Sequence, residues 1–101
     1  MATNKMRPIH PGEILREEFL APLHLSASAV ALALRVPAPR INDIVRERRA
    51  ISPDTALRLA RYFDTSAQFW INLQRSFDLK QAQDEAGARI DKEVIPLRQR
   101  A

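Results

Sequence analysis

The sequence predicts an all-α domain: five helices in a compact bundle, followed by a short extended C-terminal tail. Three observations carry this reading. Ala, Leu and Arg dominate while only two glycines interrupt 101 residues, a composition that favours helix. Apolar residues recur at i, i+3 and i+4 along much of the chain, and no run shows the two-residue alternation of a strand before the tail. N-cap residues followed by proline or acids also mark several helix starts. The length suits one domain with a modest core.

Residues 1–7 read as a flexible N-terminal arm, 8–87 as the helical domain and 88–101 as the extended tail. The first helix starts at His10-Pro11-Gly12-Glu13, with proline in the first turn and an acid at the positive dipole end. Ile14, Leu15 and Phe19 form its apolar face, and Pro22 is its expected end. Ser26 is a natural N-cap for a second helix through Leu34, with Ala29, Val30 and Ala33 as packing positions. After the turn Arg35-Val36-Pro37, a third helix is expected from Ala38 to about Arg48. There Pro39 disfavours the α conformation at Ala38, so Ala38 is expected as a weak cap and Pro39 as the first helical residue. Ile41, Ile44 and Val45 give this helix one buried face. At about 100° per residue, Pro39, Arg40, Asp43, Arg46 and Glu47 then point away from it, with Asn42 and Arg49 on the shoulder. Ser52-Pro53-Asp54 opens a fourth helix lined by Ala56, Leu59, Ala60 and Phe63. Thr65 to Gln68 has capping-box spacing and opens a fifth, with Phe69, Trp70, Leu73 and Phe77 as its stripe and Gly87 as its stop. The tail carries Ile90, Val94, Ile95 and Leu97 around Pro96 and is at most an edge strand.

The charge is more informative than its total. The formal net charge of +4 is confined to residues 35–62, which hold seven arginines (35, 40, 46, 48, 49, 58, 61) against Asp43, Glu47 and Asp54. The flanking segments are each neutral. A basic stripe in one segment is an electrostatic footprint for phosphate. The absence of Cys removes disulfides, thiolate zinc sites and cysteine nucleophiles. Two His without a base or nucleophile set argue against an enzyme; no catalytic residue, metal ligand, cofactor or small-molecule substrate is expected. No apolar run approaches a membrane span, and no signal-like segment opens the chain, so the expected location is the cytoplasm.

Two short helices joined by a tight turn, the second amphipathic and closing on arginines, describe a helix-turn-helix, whose second helix enters the DNA major groove. The segments His10-Pro-Gly-Glu-Ile-Leu-Arg-Glu-Glu-Phe-Leu-Ala-Pro-Leu23, Arg40-Ile-Asn-Asp-Ile-Val-Arg-Glu-Arg-Arg49, Ile51-Ser-Pro-Asp-Thr-Ala-Leu-Arg-Leu-Ala-Arg61 and Thr65-Ser-Ala-Gln-Phe-Trp-Ile-Asn-Leu-Gln74 go further. Together they closely resemble HigA-type antitoxins of the Xre/Cro-like helix-turn-helix group, over roughly residues 7–79. The resemblance implies a homodimer that binds double-stranded operator DNA and represses its own operon. It also implies a HigB-like partner toxin, a small RelE-like ribonuclease that cuts mRNA.

The chain departs from that pattern in telling places. Ala27 stands where many relatives carry Gln, Arg35 occupies a turn position that often holds Gly, and Pro37 replaces the usual Ser. Ala38 and Pro39 offer bases no side-chain hydrogen bond, only a surface for a thymine methyl. The expected DNA-contacting set is Ser26, Arg35, Ala38, Pro39, Arg40, Asn42, Asp43, Arg46, Arg48 and Arg49. Arg40 has the donor fork for guanine; Asp43 either accepts from cytosine or, preferably, orients Arg40 or Arg46; Asn42 reaches adenine or bonds only the backbone. Trp70 with Phe69 and Phe77 reads first as core; the functional alternative is a dimer interface, for which Trp70, Leu73, Phe77 and Val94 are the candidate contacts. Two other readings stay open: a phage-type repressor without a toxin, and a toxin-binding module with little DNA specificity.

Overall fold

The computed structural model describes residues 7–99. Most of the expected N-terminal arm, residues 1–6, and the final two residues lie outside that range. Arg7 lies within it, and its guanidinium meets the Glu13 carboxylate through two hydrogen bonds of 2.9 Å.

Five helices follow: α1, Pro11–Leu23; α2, Ala27–Leu34; α3, Ala38–Val45; α4, Pro53–Phe63; and α5, Ala67–Glu93. A 3₁₀ turn, Leu97–Gln99, comes after them, and no strand occurs among the described residues. Ser26, Ser52 and Ser66 each cap a helix, their Oγ atoms accepting from Ala29, Thr55 and Phe69 N–H at 3.0, 3.3 and 3.0 Å, so the cap of α5 is Ser66 and not Thr65 as the capping-box spacing predicts. The α1 cap is unusual: His10 Nδ1 accepts from Gly12 N–H at 2.8 Å.

The middle of α1, Leu15–Leu20, is wound as a π-helix. The wider turn lies just ahead of Pro22, whose ring would clash with the carbonyl four residues back in a regular α-helix. Pro22 therefore does not end α1; the helix reaches Leu23 and stops at His24, left-handed at φ 55°. Three further non-glycine residues share that conformation: Arg35, Glu47 and Asp64. Each reverses the chain where a helix has just closed.

Leu15, Leu20, Val30, Ala31, Leu34, Ile41, Ile44, Ile51, Ala56, Leu59 and Trp70 form the core. Phe19 packs against Phe63 and Trp70, both with ring centroids 5.0 Å away. His10, Thr55 and Gln74 are the buried polar side chains among the described residues. Trp70 Nε1 donates to Thr65 Oγ1 at 2.9 Å, and buried Gln74 accepts from Ile51 N–H at 2.7 Å.

Four expectations need correction. In α2 the buried positions are Val30, Ala31 and Leu34, while Ala29 and Ala33 face solvent. A helix apolar on every side carries no phase of its own. The third helix ends at Val45, so Arg48 and Arg49 stand on the following loop. Gly87 does not stop α5, and the extended tail does not begin at 88: helix continues to Glu93. Pro96 supplies the stop instead, because the residue before a proline is pushed out of the α region. Finally, Trp70 is fully buried within its own chain and has no surface to offer a partner. Leu73 and Phe77 are half-buried, Phe77 against the His10 ring at 4.8 Å, and only Val94 of the expected dimer contacts is well exposed.

Candidate nucleic-acid interface

The α2–turn–α3 unit is held by backbone and side chains alike. Arg35 takes φ 63°, and Val36 N–H returns to Ala31 C=O at 3.0 Å, closing α2. Pro37, with extended φ/ψ, is the N-cap of α3; Ala38 is its first residue, so Ala38 is not itself the cap as expected. The two prolines leave few amides at this helix start. Pro37 and Pro39 have no N–H, and Arg40 N–H bonds Pro37 C=O at 3.0 Å, so Ala38 carries the sole first-turn amide open to a phosphate.

The outward face of α3 follows the expected phase. Ile41 and Ile44 are buried, Pro39 and Arg46 are exposed, and Arg40 and Asp43 are half-exposed. Arg40 Nη1 donates to Asp54 Oδ2 at 2.7 Å. Asp43 pairs neither Arg40 nor Arg46; its carboxylate lies 3.8 Å from Arg49. Asn42 spends its amide donors on Ala38 C=O at 3.0 Å and Ser28 Oγ at 3.3 Å, which braces α3 against α2. Arg35, Arg46 and Arg48 are exposed and make no ion pair among the described residues. Ser26 is engaged as the α2 cap.

Four residues that support this surface lie outside the DNA-contacting set expected from the sequence. Arg16 on α1 donates to Val45 C=O and lies 3.4 Å from Glu47, so a cation closes the C-terminal end of α3. Arg58 does the same for α2, donating to Leu34 C=O at 2.8 Å. Asp54 accepts from Arg58 Nε at 2.9 Å as well as from Arg40, and these two hydrogen bonds, Arg58's first, hold its carboxyl below its usual pKa. Gly12 is the fourth. A Cβ there would lie 1.7 Å from Ile44 C=O, so α1 and α3 meet backbone to backbone. Its one sequence clue is that glycine in a helix is costly and points to close approach. The Arg16 and Arg58 contacts span 29 and 24 residues, beyond any local pattern.

His10 lies beneath the same region. Burial pushes its pKa below the usual value, which suits a ring that accepts through Nδ1. No group of three or more potential metal ligands occurs among the described residues, and no single described helix is long and apolar enough to cross a membrane.

Comparison with known proteins agrees with this architecture. The family described as Helix-turn-helix matches residues 15–70. Virulence-associated protein I of Dichelobacter nodosus is 58% identical over 95 residues, 93% of this chain and 85% of that protein. A solved structure of Pseudomonas aeruginosa antitoxin HigA with the higBA promoter is 59% identical and superposes with a TM-score of 0.89, over 90% of this chain and 99% of that one. Antitoxin GraA in complex with its operator is 52% identical, with a TM-score of 0.87 over 91% and 93% of the two chains. The chain therefore belongs to the Xre/Cro-like helix-turn-helix family, among its HigA-type members.

Proposed function

We propose that this chain is the antitoxin of a type II toxin–antitoxin pair. It binds operator DNA as a homodimer, represses its own operon, and neutralises a HigB-like mRNA-cleaving toxin by direct binding. It works by binding and not by catalysis, as its family does. One observation carries the reading: α3 turns Arg40 outward and closes on an exposed Arg46 at its C-cap, with Arg48 and Arg49 just beyond, in a fold shared with antitoxins solved on promoter and operator DNA.

In this reading Arg40 recognises a base, and Arg35, Arg46, Arg48 and Arg49 meet phosphates or flanking bases. Ala38 and Pro39 supply only apolar contact. A two-fold dimer places its recognition helices about 34–36 Å apart, in successive major grooves of an inverted repeat. The part of α5 that stands clear of the body, with Leu79 and Ile90 exposed and Val94 exposed just after its end, provides the dimer contact.

A mobility shift with the DNA upstream of the chain's own gene tests this against scrambled duplex. Arg40→Ala is expected to lose roughly 1–3 kcal/mol of discrimination between the two. Arg48→Ala is expected to weaken both equally and flatten the log–log salt slope by about 0.9 per phosphate released. Equal affinity of the wild type for both duplexes would defeat the repressor reading. It would favour a toxin-binding module instead, which the engaged amide of Asn42 and the mute Ala38 and Pro39 also suit. Relief of the neighbouring gene product's toxicity on co-expression tests the antitoxin half.

A further inference from the structure

Arg40 is the one outward arginine of α3 held by a carboxylate from another helix. Its Nη1 donates to Asp54 Oδ2 at 2.7 Å, and the same oxygen accepts from Arg58 Nε at 2.9 Å. Arg58 is itself fixed by its bond to Leu34 C=O at the end of α2. A continuous line thus runs from α2 through α4 to the start of α3. The remaining donors of Arg40, Nε and Nη2, have no acceptor among the described residues. Asp54 is 57% exposed, and an ion pair that open contributes little to stability. What it does supply is geometry.

We propose that Asp54 is a positioning residue that sets sequence specificity: its carboxylate, anchored through Arg58, holds Arg40 in one orientation with the free edge of the guanidinium presented to a guanine, and keeps it from neighbouring phosphates. This rests on the operator-binding reading above. A guanine requires two parallel hydrogen bonds in one plane, whereas a phosphate accepts a cation from many directions. An unheld Arg40 therefore favours the indiscriminate contact. A held one has less rotamer freedom left to lose on binding. The carboxylate also removes one unit of positive charge from the surface, which weakens attraction to any duplex.

Binding of operator and scrambled duplexes across a salt series, read by fluorescence anisotropy, tests this in the full chain. Asp54→Asn is expected to bind scrambled DNA more tightly, with a salt slope steeper by about 0.9, and to lower the operator-to-scrambled affinity ratio about fivefold or more. Asp54→Glu, which keeps the charge, is expected to restore the shallower slope. In an Arg40→Ala background, Asp54→Asn should leave the ratio unchanged. Weaker binding to both duplexes with an unchanged slope would reduce Asp54 to a structural role and overturn the proposal. An equal fall in the ratio with and without Arg40 would also overturn it. Failure of the wild type to discriminate would remove the operator reading and this inference together. A discriminating wild type with an unaltered ratio in Asp54→Asn removes this inference alone.

Discussion

Gly12 and His10, at the start of α1, show how much single residues decide: the first sets the approach of α1 to α3, the second ties the helix start to pH. With Ile44 C=O only 1.7 Å from where a Cβ would sit, Gly12→Ala forces the two helices apart. It is expected to cost about 2–3 kcal/mol, seen as a lower midpoint in urea, and to weaken DNA binding because α3 moves with its backbone. His10 titrates in the opposite sense to a paired histidine. Its native pKa lies below the ordinary 6.5 because burial disfavours the imidazolium. The unfolded chain therefore binds the proton first, and stability is full above about pH 6.5 and falls as pH drops through the native value. Melting temperature is expected to decline between pH 7.5 and 5.5, and His10→Asn, which keeps a capping acceptor without a proton to gain, is expected to flatten that decline.

At the level of elements, the two helices of the DNA-facing unit are closed by cations from elsewhere in the chain. Arg16 closes α3 and Arg58 closes α2. Neither helix exceeds eight residues, a length at which isolated helix is unstable in water, so both depend on such contacts and on the core beneath them. α5 has the opposite character. Its 27 residues continue well past the last core side chain, supported by i,i+4 pairs such as Lys80–Asp84 at 3.3 Å. Gly87 lies in that stretch, and a Cβ added there would meet only the Gln83 side chain, at an ordinary contact distance of 4.0 Å. Gly87→Ala is therefore expected to stabilise α5 by about 0.5–1 kcal/mol, measured as greater helicity and a higher melting temperature.

The described residues span 58 × 24 × 22 Å, elongated because α5 extends beyond the bundle. That projection exposes Leu79 at 62% and Val94 at 63%. If two copies join there, stability follows mass action, and the melting temperature rises with protein concentration. Leu79→Asp is expected to abolish that dependence and yield a monomer by light scattering, with the core untouched. A concentration-independent melt of the wild type would rule out a dimer of consequence. The same variant should bind a single half-site far more weakly than the dimer binds the inverted repeat, since linked sites reinforce each other.

Helix number, the buried faces of α3 and α4, the caps Ser26 and Ser52 and the outward Arg40 and Arg46 were all legible in the sequence. Each is a local property: caps act within three residues, and an amphipathic helix declares its own phase. Where the local signal was absent or ambiguous, the tertiary structure decided. The apolar α2 took its phase from its neighbours, Gly87 was carried through because one glycine is a small loss within a long helix, and Trp70 went to the core instead of a dimer face. The partners of the arginines were likewise beyond local reach, since Arg40 and Asp54 are separated by 14 residues and Arg16 and Val45 by 29. The sequence by itself determined a helix-turn-helix with a basic face; only the packing of α1 and α4 against it decided which of those arginines are structural, which are held by a carboxylate and which stand exposed without an ion pair among the described residues.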